Sequence, residues 1–173
     1  MDLLERLLAH DRWATNVLLD TCASLNDAQF TQQFDIGLES IHGTFGHIAG
    51  NIEFWTDSMK ETEVDRSGES WARSDLRPRF DRAYDEFEGF AYMIREDGRL
   101  DDTFDDAWEQ PQTFGAILLH LPLHHEGHRN EILHMLNRLG VEGIPEIDHA
   151  LWDFVRRGLY IPEEPDPGTR APD

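Results

Sequence analysis

Histidines crowd one short stretch, His120-Leu-Pro-Leu-His124-His125-Glu-Gly-His128-Arg129, inside an otherwise apolar helical pattern. From Phe114 to Leu139 the apolar residues Phe114, Ile117, Leu118, Leu121, Ile132, Met135, Leu136 and Leu139 recur at the spacing of one helical face. That face is interrupted between Leu121 and Ile132, where His124, His125 and His128 fill the gap. At about 100° per residue, His128 falls near the middle of the apolar face, with His124 and His125 on either side. His124 and His128 are one turn apart, so both imidazoles can reach a single ion from one helix. Imidazoles withdrawn from water without a partner are costly, and a metal ion satisfies several at once. The competing reading is a set of core histidines hydrogen-bonded to carbonyls or carboxylates. A zincin motif is excluded, because the residue four places after His125 is Arg129 rather than a second histidine.

Two histidines rarely complete a transition-metal site, so a facing helix must supply another ligand. The second long helix offers His42 and His47. His47 lies at the edge of a regular apolar stripe and follows Phe45-Gly46, where a small residue permits close approach. His42 sits near the N-terminus of that helix and reads as a surface or outer-sphere residue. His10, beside Asp11 and Arg12, is a further candidate, whereas His134 and His149 fall off the apolar face. His120 and His125 remain alternatives, each within one turn of His124 or His128. Asn51, one turn after His47, and Glu131 are candidate outer-sphere groups.

The elements that must position these residues are helices. The first is expected from about Asp2 to Ser24, with Asn26-Asp27 capping a short turn. Ser40 caps a second, about Ile41 to Glu61, whose stripe Ile41, Phe45, Ile48, Ile52, Trp55 and Met59 alternates steps of four and three. The third is expected from about Leu76 to Arg95, with Pro78 in its first turn, followed by an acidic connection from Leu100 to Gln112. The histidine helix runs from about Thr113 to Leu139, ends at Gly140 and should kink at Pro122. A short fifth helix, Glu146 to Arg157, is expected to cover one end. With no strand signal, the fold class is all-α: a four-helix bundle over residues 1–161 with a short extra C-terminal helix. Residues 162–173 read as a mobile acidic, Pro-rich tail.

Composition narrows the function. Thirty-five acidic against fifteen basic residues give a net charge of −20, which disfavours nucleic acid and anionic membranes as partners. No run is long or apolar enough to span a bilayer, and the first residues lack the pattern of a signal peptide. The single cysteine, Cys22, excludes an internal disulfide, fits a cytoplasmic location and reads as a small buried hydrophobe. An exposed apolar edge on one helix pair would suit a homodimer.

The segment Ser40-Ile-His-Gly-Thr-Phe-Gly-His47-Ile, followed by Trp55, is similar to the second-helix motif of the DinB/YfiT-like family. The resemblance extends to His124-His125-Glu-Gly-His128-Arg129 with Ile132 to Gly140, to Asp11-Arg12-Trp13-Ala14 and to Pro145-Glu146-Ile147-Asp148. The chain departs from that pattern at Pro122 and at Asn130-Glu131, where a Gly-Gln pair commonly follows the arginine. The resemblance implies a four-helix bundle with His47, His124 and His128 as ligands of a divalent ion. Zinc or nickel suits such a set, and iron or manganese is compatible with it. It also implies a low-molecular-weight thiol as a substrate, since relatives include metal-dependent thiol S-transferases and thiol-dependent isomerases; the expected function is thiol S-transferase or hydrolase-like chemistry on a small electrophile. The alternatives are a metal-binding stress-response bundle without catalysis and a bundle whose histidines are satisfied by hydrogen bonds.

Overall fold

Asp2 opens the first helix, α1 (Leu3–Cys22), through a capping box: its carboxylate accepts from the Glu5 amide while Glu5 accepts from the Asp2 amide. The same device at Asn26 and Gln29 closes the expected short turn into one turn of helix, α2 (Asp27–Phe30). Ser40 caps α3 (Ile41–Met59) by accepting from the Gly43 amide at 3.0 Å. The computed structural model describes residues 1–62, 64–68 and 70–159, so the expected tail lies outside the described residues.

Helix α4 (Arg73–Glu96) begins three residues before the expected Leu76. The reason is a long-range contact that periodicity does not encode. The Arg73 guanidinium donates to the carbonyls of Cys22 and Leu25, both at 2.7 Å, and so caps the exposed end of α1. Pro78 consequently sits in the second turn of α4 rather than the first.

The acidic connection is not a plain loop. Strands β1 (Thr103–Asp105) and β2 (Pro111–Thr113) form an antiparallel hairpin, with Phe104 opposite Gln112. Asp106 holds its turn by accepting from the Trp108 and Gln110 amides at 2.9 and 3.0 Å. Strands of three residues are too short to show alternation, which is why no strand was expected. The hairpin leads directly into α5 (Phe114–Arg138), which continues through Pro122, and α6 (His149–Arg156) follows. Asp148 caps α6, so it begins after Ile147 rather than at Glu146.

The chain is thus mostly helical, with one small sheet among the described residues. Helix α1 packs against α4 and α5, and α3 packs against the same two. Between them lies one apolar core in which Phe45, Ile48, Ile52, Phe80, Phe87, Leu121, Ile132 and Met135 are shielded from solvent. No helix among the described residues is long and apolar enough to cross a membrane.

Candidate metal centre

Helix α5 presents two adjoining polar stripes with different partners. His125 and Arg129, not His128, occupy the middle of the buried face between Leu121 and Ile132. They turn toward α1, where the buried Asp11 carboxylate accepts from His125 Nδ1 at 2.9 Å and forms an ion pair with Arg129. The Tyr84 hydroxyl of α4 donates to the same carboxylate at 3.2 Å and lies 2.9 Å from the Thr15 hydroxyl. Burial opposes ionisation of Asp11, but His125 and Arg129 outweigh it and hold its pKa well below the usual carboxylate range. The gap in the apolar stripe is therefore filled mainly by a three-helix polar network. Two atoms of that network, His125 Nε2 and Arg129 Nε, are buried without a hydrogen-bond partner.

His124 and His128 lie beside that stripe, half-buried, facing α3. The structure brings them together with His47. The His124 Nε2 atom is 3.1 Å from His47 Nε2 and 3.1 Å from His128 Nε2. One ligand atom from each of the three residues lies within 4.8 Å of the others. A tetrahedral ion bonded to imidazole at about 2.0–2.1 Å spaces its ligand nitrogens roughly 3.3–3.4 Å apart. The three imidazoles and their spacing are compatible with a metal-binding site.

The electrostatics favour the unprotonated rings that a metal requires. Burial, followed by the imidazoles of His128, His125, His120 and His47, pushes the His124 pKa down to about 4. Burial, with His128 and His125 behind it, also lowers His47. His128 Nδ1 lies 2.9 Å from a Glu131 carboxylate oxygen. A carboxylate accepts this bond from Nδ1, and in the neutral imidazole tautomer that donates there the lone pair is on Nε2, the nitrogen that faces the cluster. The Asn51 amide nitrogen lies 2.7 Å from His47 Nε2 and 3.1 Å from His124 Nε2, within hydrogen-bond reach of both rings. A half-turn of that side chain presents its carbonyl oxygen to the same centre.

The other histidines are placed elsewhere. His120 stacks on His124 with ring centroids 5.2 Å apart, and the Trp55 ring lies 6.2 Å from His120. His120 is exposed and outside the cluster, and His125 is committed to Asp11. His42 Nε2 donates to the Trp71 carbonyl at 2.7 Å, and His10 Nε2 donates to the Ile147 carbonyl at 2.8 Å. His134 and His149 are exposed.

Sequence reasoning missed the Asp11 network and the backing of α3. The Arg79 guanidinium grips the buried Glu53 carboxylate at 2.8 and 2.7 Å and lies 3.4 Å from the centre of the Trp71 ring. Trp71 in turn covers Gly46 and Gly50, the two glycines flanking His47. Arg129 stands one turn after His125, and that spacing was the available signal for the Asp11 network.

Helices that converge three imidazoles on one point make a candidate metal-binding protein. The sequence model of the DinB family matches residues 1–152, and the chain belongs to that family. A search of curated proteins found no match.

Proposed function

We propose that this protein is a metal-dependent enzyme built as a four-helix bundle. In this reading His47, His124 and His128 hold a divalent ion at the bundle's mouth. The substrate is a small electrophile, and the nucleophile is a low-molecular-weight thiol or water. The observation that carries the reading is the convergence of the three imidazoles on one point from two helices, with His124 Nε2 3.1 Å from both His47 Nε2 and His128 Nε2. Three protein ligands leave a coordination position open, as in catalytic rather than closed structural sites. Zinc or nickel is the preferred occupant, with iron or manganese compatible.

When bound, the ion supplies Lewis acidity that lowers the pKa of a thiol or water beside it. The chain's own residues prepare the place. Glu131 orients His128, Asn51 lies between His47 and His124, and His120 packs between the rings of Trp55 and His124. The thiol is supplied from solution. Cys22 is buried, and burial pushes its own thiol up to about 12, which argues against it as the nucleophile. The reading also takes the protein to be cytoplasmic and a homodimer, the second supported by the exposed Leu3, Leu119 and Leu123 on α1 and α5.

The test is a screen of thiol–electrophile pairs with zinc- or nickel-loaded protein, reading adducts by mass spectrometry. Turnover that disappears in His47→Ala supports the proposal. Stoichiometric metal without turnover across the screen would favour a metal-binding protein without catalysis. Sedimentation velocity showing only monomer would contradict the dimer.

A further inference from the structure

The histidine cluster contains a dependence on a residue far away in sequence. His128 Nδ1 donates to Glu131 at 2.9 Å, and this bond turns the ring so that Nε2 faces His124. Glu131 is itself seated by the loop before α3. At Gly37 the backbone has φ +50°, and a Cβ built there would overlap both the carboxylate carbon and the oxygens of Glu131. The absence of a side chain at Gly37 is thus the space that the carboxylate occupies. The loop is tied to α5 beyond this point, because Asp35 pairs with Arg138 and the Arg138 guanidinium lies 5.1 Å from the centre of the Phe34 ring.

We propose that Gly37 and Glu131 act as one positioning device: the glycine admits the carboxylate, and the carboxylate locks His128 in the orientation and tautomer of a metal ligand. Three features set this apart from an ordinary surface pair. The acceptor faces the ring nitrogen opposite the cluster, where a carboxylate fixes the proton and makes Nε2 a better donor to a cation. The Glu131 carboxylate is only one-quarter exposed, so the bond is shielded from competing water. The backbone at Gly37 is in the left-handed region, where glycine carries no steric penalty. Neither residue touches the centre, and both act through His128.

The inference rests on the metal reading, and the experiment separates the two. Zinc affinity is measured by competition with a chromophoric chelator for the full chain, Glu131→Gln, Glu131→Ala, Gly37→Ala and Gly37→Ala/Glu131→Ala. Glu131→Gln and Glu131→Ala should each weaken binding about 10–100-fold, the usual effect of losing an outer-sphere partner. Gly37→Ala should weaken it comparably; in the Glu131→Ala background the colliding carboxylate is gone, so it should still cost stability through the left-handed backbone but add little to the loss of zinc affinity. Melting temperatures of the metal-free variants control for general loosening. Nitrogen-15 NMR gives a metal-independent readout, with His128 protonated at Nδ1 in the parent and mixed between tautomers in Glu131→Ala. Parent-like affinity and tautomer in Glu131→Ala would overturn the device while leaving the metal site intact. Additive losses from Gly37→Ala and Glu131→Ala would uncouple the two residues and overturn their pairing. A parent chain that binds no zinc would overturn both the metal reading and this inference.

Discussion

Replacing Asp11 with asparagine keeps the shape of the side chain and deletes the charge around which α1, α4 and α5 meet. Asp11, His125 and Arg129 are each no more than 1% exposed, so water cannot take the place of the lost carboxylate. Among the described residues Arg129 would keep only Glu126, whose side chain is 41% exposed, as a charged partner. Breaking a buried ion pair from one side costs about 3–5 kcal/mol, because the surviving charge stays buried. For a chain of this size that corresponds to a melting temperature lower by roughly 6–20 °C. Urea unfolding of the metal-free protein, followed by circular dichroism, measures it through the midpoint at unchanged slope. The pH dependence gives a second check. The folded-state pKa of Asp11 is depressed, so its stabilisation is present above the unfolded value of 3.8 and lost as pH falls toward the folded one. The gap between parent and Asp11→Asn should therefore be full at pH 7 and narrow below about pH 4. A loss under about 1 kcal/mol at pH 7 would refute the argument.

Other consequences are equally direct. Burial raises the Cys22 pKa to about 12, so its thiol should resist an aromatic disulfide reagent at pH 8 and react only on unfolding; rapid reaction in the native state would contradict this. Its protonated form is stabilising below the unfolded pKa, and that contribution is lost only as pH rises toward about 12. Glu53→Ala removes the buried carboxylate that holds two nitrogens of Arg79 and should cost about 1.5–3 kcal/mol in denaturant unfolding. Gly43→Ala places a Cβ 2.8 Å from the Leu38 carbonyl oxygen and should cost about 1–3 kcal/mol, read as a lower melting temperature. His120→Ala removes a ring outside the cluster, so the metal stoichiometry should match that of the parent by elemental analysis.

Much of the helical framework was legible because its signals are local. Ser40 and Asn26 announce their helices by capping chemistry, and the α3 stripe gives its buried face directly. The juxtaposition of His47 with His124 and His128 followed from the i,i+4 pair, a facing helix and the family motifs. Where the reading failed, the determinant was a tertiary partner. A helical wheel sees polar residues in an apolar stripe but not what stands opposite them, so it placed His128 where His125 and Arg129 meet Asp11. Arg73 extends α4 by reaching carbonyls of a different helix, and the hairpin depends on backbone pairing between three-residue segments. Gly37 carries no local sign of its role, since the carboxylate that fills its missing Cβ belongs to Glu131.

The most direct test of the account is elemental analysis of tag-free protein after reconstitution with zinc, nickel, iron and manganese separately, beside His47→Ala and His124→Ala/His128→Ala. The account predicts close to one equivalent of at least one ion in the parent and none in the variants, all of them folded by circular dichroism. A folded parent that retains none of these ions, or variants that retain as much as the parent, would contradict it.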